Sequence, residues 1–409
     1  MNRALIPIFL IVLVDVFGLT LVLPLQAIYA EKLGASALQA TMLVSVFAVC
    51  QLVASPLLGS WSDRIGRKSV LIFSQIGAVI GYLAMASASS IWMLYLARVI
   101  QGTTAGNLSI AQAYIADNSE AKDRAKSFAL IGIAFGIGFF IGPALTGMLV
   151  RYGLAAPIFV AAFMSALSLV CTLVLLPGEV SVRSAPSDVA LPGGKRLSIF
   201  EWRAYLQYFE RPVLRAMLIQ FLFFAMCFSV FMSGFSLYAE RRYVYDGHPF
   251  SPREIGYLFA YSGFLGLILQ GGLIGRLVKR FGERSLVVSG FISIVVGFVI
   301  LASTDTVAGL VISTTISTYG NAVVRPILSS LISQSAARHE QGTVIGLTQS
   351  LQSVAQIVAP FLAGLLLEHH MLWQWGAMAA VAALLGLLMA PLGSQKAVSA
   401  AQVVATDAE

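Results

Sequence analysis

Long apolar runs separated by short polar stretches dominate the chain. A helix of about 20 apolar residues spans the roughly 30 Å hydrocarbon core of a bilayer, and windows of that length predict twelve helical spans. Their approximate bounds are 4–27, 38–60, 70–88, 91–116, 127–150, 154–177, 212–239, 253–275, 285–303, 307–331, 343–367 and 371–392. The pattern therefore predicts an all-α fold.

Composition places these helices in a membrane. Apolar residues make up 58% of the 409 positions and charged residues only 11%, with a mean hydropathy of +0.85. A soluble core of this size would leave too much apolar surface exposed. The first run exceeds a signal-peptide core, lacks a small-residue cleavage pattern and contains Asp15, so we interpret it as a span. Cys50, Cys171 and Cys227 lie in apolar spans and are expected to be packing residues.

Positive charge is distributed unequally between the two sides of the predicted helices. Of the 26 Lys and Arg residues, 19 fall on one side if the N-terminus is cytoplasmic. The exceptions are Lys32, Arg151, Arg241, Arg242 and Arg253 outside, and Arg98 and Arg325 within spans. This asymmetry predicts that both termini are cytoplasmic, and the net charge of +7 is not taken to indicate nucleic acid.

A polar linker divides the chain near its middle. The stretch from Pro177 to Arg196 is rich in Pro, Gly, Ser and charge, and 197–210 mixes aromatic with charged residues. The second stretch is expected to be an amphipathic helix at the membrane surface, although an ordinary surface helix explains it almost as well. The predicted units are a bundle at 1–177, a cytoplasmic linker at 178–211, a second bundle at 212–392 and a cytoplasmic tail at 393–409.

A charged, glycine-punctuated loop joins the second and third spans. It contains Gly59, Asp63, Arg64, Gly66, Arg67 and Lys68. Gly59 is expected to let two helices approach closely and Gly66 to permit a tight reversal. A degraded copy recurs in the second half with one constant offset, in which Gly275, Lys279 and Gly282 take the places of Gly59, Asp63 and Gly66.

A second landmark recurs with nearly the same offset. Gly142-Pro143 is matched by Ala359-Pro360 and Gly147 by Gly364, and this offset is one position longer than that of the loop. Six spans duplicated into twelve explain both offsets, and such repeats are typical of transporters whose two bundles move around a central site.

The fifth span is rich in glycine. Gly138, Gly142 and Gly147 allow a neighbouring helix to pack closely, and Pro143 is expected to bend the helix. Packing alone explains these residues as well as a specific functional role does.

Two charges lie deep within predicted spans, where an ionised group costs about 2.5–3.5 kcal/mol on insertion scales. At about 1.5 Å per residue, Asp15 lies roughly 16 Å from one membrane face and Arg98 roughly 10 Å from the other. The depths nearly match across a hydrocarbon core of roughly 30 Å. We expect the two side chains to meet and Asp15 to exchange a proton. A permanent ion pair, or a carboxyl facing cavity water, is the alternative.

Polar and aromatic side chains in the spans are candidates for a substrate cavity. They are Gln51, Asn107, Gln112, Phe228, Phe231, Gln270, Arg325, Gln349, Gln352 and Gln356. Interhelical hydrogen bonding explains the amides almost as well, and an aromatic stripe is more often core or lipid-facing than a binding wall. Arg325 either extends to the membrane surface or has a role in binding a substrate anion or in gating.

Enzyme chemistry has little support in the sequence. The nucleotide-binding pattern G-x-x-x-x-G-K-[ST] is lacking, and the four histidines follow no metal-binding spacing. We predict neither an enzyme, nor a cofactor, nor a metal site.

The loop at 59–68 resembles, position for position, the signature loop of major facilitator superfamily transporters. Further matches make the first half most similar to the tetracycline branch of drug/proton antiporters. They are Asp15 with Gly18 and Pro24, Gln51 before Pro56, Tyr114 to Asp117, and Asp123-Arg124-Ala. The fifth span resembles the antiporter motif, and the stretch around Arg98 resembles an arginine motif linked with proton coupling.

The resemblance implies a fold of two six-helix bundles with pseudo-symmetry. It also implies that Asp63 holds the two bundles together in the outward-facing state through contacts with helix termini and arginines. Arg124 is a nearby candidate for such a contact, and Asp117 is counted among the residues of this latch. Two departures make tetracycline itself doubtful. Tetracycline pumps carry a further acidic residue in the third helix, where this chain has Gly81. They also carry a histidine in the eighth helix, whereas 263–270 of this chain has none.

On this basis we predict proton-coupled efflux of an amphipathic or hydrophobic, drug-like solute. Partners would be the solute, protons and lipid, without nucleic acid, and the chain would work as a monomer in a bacterial inner membrane. The alternatives are a facilitator or symporter for a small metabolite or organic anion, a lipid translocase, and a transport-inactive receptor or scaffold.

Overall fold

The computed structural model describes residues 6–117, 124–176, 207–336 and 340–390, without the side chains of 116–117, 124–129 and 341–343. Helices account for nearly all of this part of the chain. One short antiparallel hairpin pairs Val244–Tyr245 with His248–Pro249. The predicted linker lies outside the described residues. Of the predicted amphipathic helix at 197–210, only 207–210 is described, and it is helical.

The first half of the chain forms eight described α-helices. They are α1 (Ile6–Val22), α2 (Gln26–Lys32), α3 (Ala37–Ile65), α4 (Arg67–Ala86), α5 (Ile91–Thr103), α6 (Asn107–Asp117), α7 (Arg124–Leu149) and α8 (Ala156–Leu175), with a 3₁₀ turn at Val150–Tyr152.

The second half forms seven described α-helices. They are α9 (Pro212–Arg242), α10 (Pro252–Ile268), α11 (Ile274–Phe281), α12 (Glu283–Ser303), α13 (Val307–Gln334), α14 (Gln341–Glu368) and α15 (Leu372–Leu388). A π-helical turn, Leu269–Leu273, joins α10 to α11.

The helices match the predicted spans in order and position. Within the described residues, nine helical segments are long and apolar enough to cross a membrane, and the bent pair α1 and α2 makes a tenth. Helix α15 is apolar but only 17 residues long, and 104–106 separates α5 from α6. Counting each broken pair as one span is consistent with the predicted twelve.

The break between α1 and α2 follows from Pro24. Proline has no N–H to donate and disfavours helical geometry at the residue before it, here Leu23. The chain turns at 23–25 and the two helices meet at an angle of 44°. Gln26 therefore begins a new helix with its own orientation.

The duplicated loops share one backbone geometry. Gly66 has φ of 99° between α3 and α4, and Gly282 has φ of 77° between α11 and α12. Only glycine adopts such values readily, so each reversal depends on its glycine. Capping boxes begin α3, at Ser36 and Gln39, and α10, which leads through the π-helical turn into α11, at Ser251 and Glu254.

Two antiparallel helix pairs join the halves, α3 with α14 and α7 with α10. We call the end of the molecule that holds Gly66 and Gly282 the Gly66 end, and the other the opposite end. Both pairs converge at the opposite end. A β-carbon at Gly256 in α10 would lie 2.6 Å from the Pro143 carbonyl oxygen in α7, and one at Gly364 in α14 would lie 2.9 Å from Cα of Leu38 in α3.

The same pairs diverge toward the Gly66 end. Gly132 in α7, Gly271 in the π turn and Gly346 in α14 have no atom within 4 Å of a built β-carbon. Leu57 in α3 is 66% exposed. The described residues thus adopt a conformation that is closed at the opposite end and splayed at the Gly66 end.

Candidate functional site

Asp15 lies in the middle of α1 and faces α6. Asn107, the first residue of α6, donates a hydrogen bond from Nδ2 to Oδ2 of Asp15 at 2.8 Å. The Oδ1 atom is buried without a hydrogen-bond partner. The break at 104–106 lets α6 begin at this depth and places Asn107 against the carboxyl group.

Further polar side chains surround this carboxyl group. Gln75 in α4 donates to Oγ of Ser168 in α8 at 2.8 Å, and the Ser168 hydroxyl donates to the Ile11 carbonyl at 3.3 Å. Ser168 lies beside Asp15. Gln75 and Ser168 were not predicted as site residues, although a polar residue in an otherwise apolar span is the signal that would have found them.

Arg98 in α5 is only 6% exposed, and its partners are neutral. Its Nη1 atom donates to Oε1 of Gln101 at 2.7 Å, and Nη2 donates to Oε1 of Gln26. The guanidinium also lies 5.9 Å from the centre of the Phe47 ring. Neither Gln26 nor Gln101 was among the candidates predicted from the sequence.

The expected contact between Asp15 and Arg98 is absent from this conformation. Among the ion pairs of the described residues, none contains either side chain. The buried Tyr82 ring lies near both side chains. Depth along a helix does not determine which way a side chain points: Asp15 faces Asn107, and Arg98 faces Gln26, which begins α2 after the turn at 23–25.

The signature loop is held by contacts within the first half. Asp63 and Arg67 form an ion pair of 2.6 Å, and Arg67 also donates to Oγ of Ser62 at 2.6 Å. Lys68 donates to the carbonyl oxygens of Leu173 at 3.0 Å and Leu176 at 2.5 Å. Lys68 thus caps the C-terminus of α8.

Gly59 and Arg64 of this loop face open space. Gly59 has no atom within 4 Å of a built β-carbon, so the expected close helix approach there is wrong in this conformation. Arg64 is exposed. The side chains of Asp117 and Arg124 lie outside the described part of the chain, and the latch stays a prediction.

The glycines of the fifth span pack closely, as predicted. A β-carbon at Gly138 would overlap Val16, and one at Gly142 would overlap Thr20, both in α1. Gly147 faces the other half, where a β-carbon would lie 2.9 Å from the Arg253 carbonyl oxygen. Pro143 stands inside the continuous helix α7. The structure shows that these glycines pack closely against neighbouring helices. The antiporter role that the resemblance implies for them stays a prediction.

The candidate cavity residues differ in their exposure. Gln270 and Gln349 are exposed, Gln352 is buried, and Gln51, Gln112 and Gln356 are half-buried. Phe228 stacks on Phe224 with ring centres 6.3 Å apart, and Phe231 packs on Phe235 at 4.6 Å. These two rings thus pack, at least on one side, into the aromatic core of the second half.

A small cavity lies between the halves near the turn at 23–25. Its lining comes from both halves and contains none of the predicted cavity residues. The lining residues are Leu23, Gln26, Ala27, Ala40, Val44, Met232, Ser233 and Ser236. Because Gln26 also accepts from Arg98, this cavity lies one side chain away from the buried charge.

Arg325 in α13 is exposed although it lies within a span. Among the described residues it forms no ion pair.

Known proteins resemble this chain over most of its length. The sequence profile of the Major Facilitator Superfamily matches residues 8–358 and 243–400. Tetracycline resistance protein, class D, from Salmonella ordonez is 28% identical over 88% of this chain and 89% of its own length. Multidrug resistance protein 2 from Bacillus subtilis is 25% identical over the same shares.

A solved structure is similar in fold. The human organic anion transporter MFSD10 (TETRAN) superposes with a TM-score of 0.68 at 23% identity, covering 94% of this chain and 99% of that one.

Proposed function

Because the chain belongs to the major facilitator superfamily and is therefore a membrane transporter rather than an enzyme, we propose that it exports an amphipathic or hydrophobic organic solute in exchange for protons. In this proposal the two bundles, residues 1–177 and 212–392, alternate between facing the two sides of the membrane. The chain would act as a monomer in a bacterial inner membrane with both termini cytoplasmic.

The observation that carries proton coupling is the environment of Asp15. The carboxyl group lies within a span, and its hydrogen-bond donor is the neutral amide of Asn107. Since no described cation pairs with it, a proton can bind Asp15 without an ion pair being broken. One elementary charge crossing about 100 mV supplies about 2.3 kcal/mol, enough for one proton to drive a useful gradient.

The solute class is supported by the names of the relatives. Proteins named for tetracycline resistance and multidrug resistance match this chain over most of its length.

The test is transport by purified protein in liposomes with an imposed pH gradient. Ethidium, tetracycline and other drug-like dyes would be followed by fluorescence. We expect wild type to accumulate at least one of them only when the gradient is present, and Asp15→Asn to abolish this accumulation. Asp305→Asn, which removes an exposed carboxylate paired with Arg242, is the matched control. Intact gradient-driven transport by Asp15→Asn would refute the proton role.

A second candidate function, transport of an organic anion, is favoured by Arg325. An exposed arginine within a span, without an anionic partner among the described residues, is suited to bind a carboxylate. The protein of similar fold is named as an organic anion transporter. Arg325→Gln would then abolish uptake of carboxyfluorescein into liposomes while leaving ethidium transport unchanged. Equal effects on both dyes would argue against an anion-specific role.

A further inference from the structure

Polar contacts between the halves close the opposite end, and the proposed transport chemistry does not use them. The Oε2 atom of Glu368, the last residue of α14, accepts a hydrogen bond from the backbone N–H of Leu38 at 3.1 Å. Leu38 is the second residue of α3. A carboxylate of the second half therefore sits on the N-terminus of a first-half helix.

Helix α3 supplies no negative charge of its own at this position. Its first turn contains no acidic residue, and its capping box uses the neutral Ser36 and Gln39. The N-terminus of a helix carries a partial positive charge, which a nearby carboxylate stabilises. The Ser36 hydroxyl and the Ala37 N–H also lie beside Glu368. Glu368 thus supplies from the other half the charge that α3 lacks.

Arg241 reinforces the contact from α9. Its Nη1 atom donates to the Leu367 carbonyl oxygen at 2.6 Å, and Nη2 forms an ion pair with Oε1 of Glu31 at 2.6 Å. Leu367 lies in the last turn of α14, where a cation is favourable. One arginine therefore joins the C-terminus of α14 to a carboxylate of the first half.

The internal repeat shows that this cap is specific to α3. Its counterpart in the second half, α10, begins with a capping box that contains its own acid, Glu254. By the offset that relates Gly147 to Gly364, the counterpart of Glu368 is Arg151, a cation. The equivalent junction therefore offers no carboxylate from the other half, and the contact at Glu368 is not a by-product of the duplication.

We propose that Glu368 on the α3 N-terminus, together with Arg241 and Glu31, is a lock that holds the opposite end closed and must open in every transport cycle. Helices α3 and α14 are antiparallel and converge at this end. A movement that brings them together at the Gly66 end separates Leu38 from Glu368. The lock acts whichever solute is carried and whether or not protons are coupled, so it goes beyond the proposed function.

The experiment measures the distance between the halves at the opposite end of the full chain. Spin labels would be placed at exposed Ser89 and Ser303, with the three native cysteines replaced by serine. Distances would be recorded by double electron–electron resonance in lipid nanodiscs. We expect wild type to show mainly the short distance, and Glu368→Ala to raise the long-distance population about fivefold, the size of one helix-terminus charge interaction.

Glu254→Ala is the matched control, because it removes a carboxylate from the equivalent helix N-terminus within one half. It is expected to leave the distance distribution unchanged. Glu368→Gln keeps an oxygen acceptor but loses the charge, so its shift should be intermediate, and it replaces the alanine variant if that variant does not elute as a single species. An unchanged distribution in the folded Glu368 variants, or an equal shift in Glu254→Ala, overturns the proposal.

Discussion

Gly142 in α7 packs directly against Thr20 in α1, so closely that a β-carbon at 142 would overlap the threonine hydroxyl. The Thr20 hydroxyl lies 3.0 Å from the Gly138 carbonyl oxygen and 2.9 Å from the Val16 carbonyl oxygen of its own helix, and its one proton is shared between these acceptors. The two helices therefore touch through a glycine surface and a hydroxyl that satisfies the exposed backbone. Such contacts are typical of helices that pack in a membrane without large side chains between them.

Gly142→Ala should lower the stability of the protein. Overpacking a tight contact costs about 1–3 kcal/mol, which thermal unfolding followed by tryptophan fluorescence would detect as a lower melting temperature. Gly132→Ala, in the same helix but facing open space, is the control and should not lower it. In a Thr20→Ala background the added cost at 142 should shrink. An equal loss in both backgrounds would mean that Thr20 is not the obstacle.

Replacing Lys68 by methionine should loosen the end of α8. The ammonium group donates to the Leu173 and Leu176 carbonyl oxygens, and a cation at a partly buried helix C-terminus contributes up to about 2 kcal/mol. We expect a lower melting temperature for Lys68→Met than for Arg64→Met, which removes an exposed cation from the same loop. Equal melting temperatures for the two variants would contradict the capping role.

Asp63→Asn tests the latch that the family resemblance implies. By that resemblance, Asp63 helps to hold the Gly66 end closed in the other conformation, so the variant should slow transport while solute still stabilises the protein against heat. Asp305→Asn is again the control carboxylate. Unchanged transport by Asp63→Asn would count against the latch, and loss of solute-induced stabilisation would point to a binding defect instead.

Gln26→Leu should destabilise the first half by about 1–3 kcal/mol, because it leaves a buried guanidinium without one of its acceptors. Gln26→Glu supplies a charged acceptor to Arg98 and should cost less. Gln220→Leu removes a buried amide whose partner is the neutral Gly386 carbonyl, so its loss should also be smaller. Chemical or thermal unfolding of the three variants would rank them, and a Gln26→Leu value no larger than that of Gln220→Leu would refute the assignment.

The helices and their order were predictable because a bilayer leaves the backbone few choices. Within hydrocarbon every N–H and C=O needs an internal partner, so an apolar run of sufficient length becomes a helix. Local signals were equally clear at Gly66 and Ser251, where a positive φ and a capping box depend on neighbours in sequence. The nearly constant offset between the repeated motifs indicated two similar halves, because it too is read directly along the chain.

Side-chain partners were less predictable. Asp15 was recognised as a buried charge, but its partner Asn107 depends on where α6 begins, and the partners of Arg98 depend on how far Pro24 turns the chain. The position of a residue along a straight helix gives its depth in the membrane but not the direction in which its side chain points. Depth alone predicted that Asp15 and Arg98 meet, whereas the structure gives each of them neutral amide partners.

The sequence by itself determined that this chain is a membrane protein of duplicated helical halves, because composition and spacing act locally along the chain. Only the tertiary structure decided which residues meet across those halves. Glu368 and Leu38 are 330 positions apart, and nothing near either one indicates the other. Their contact arises because α3 and α14 run antiparallel and converge at the opposite end, which is a property of the packed helices and not of any one segment.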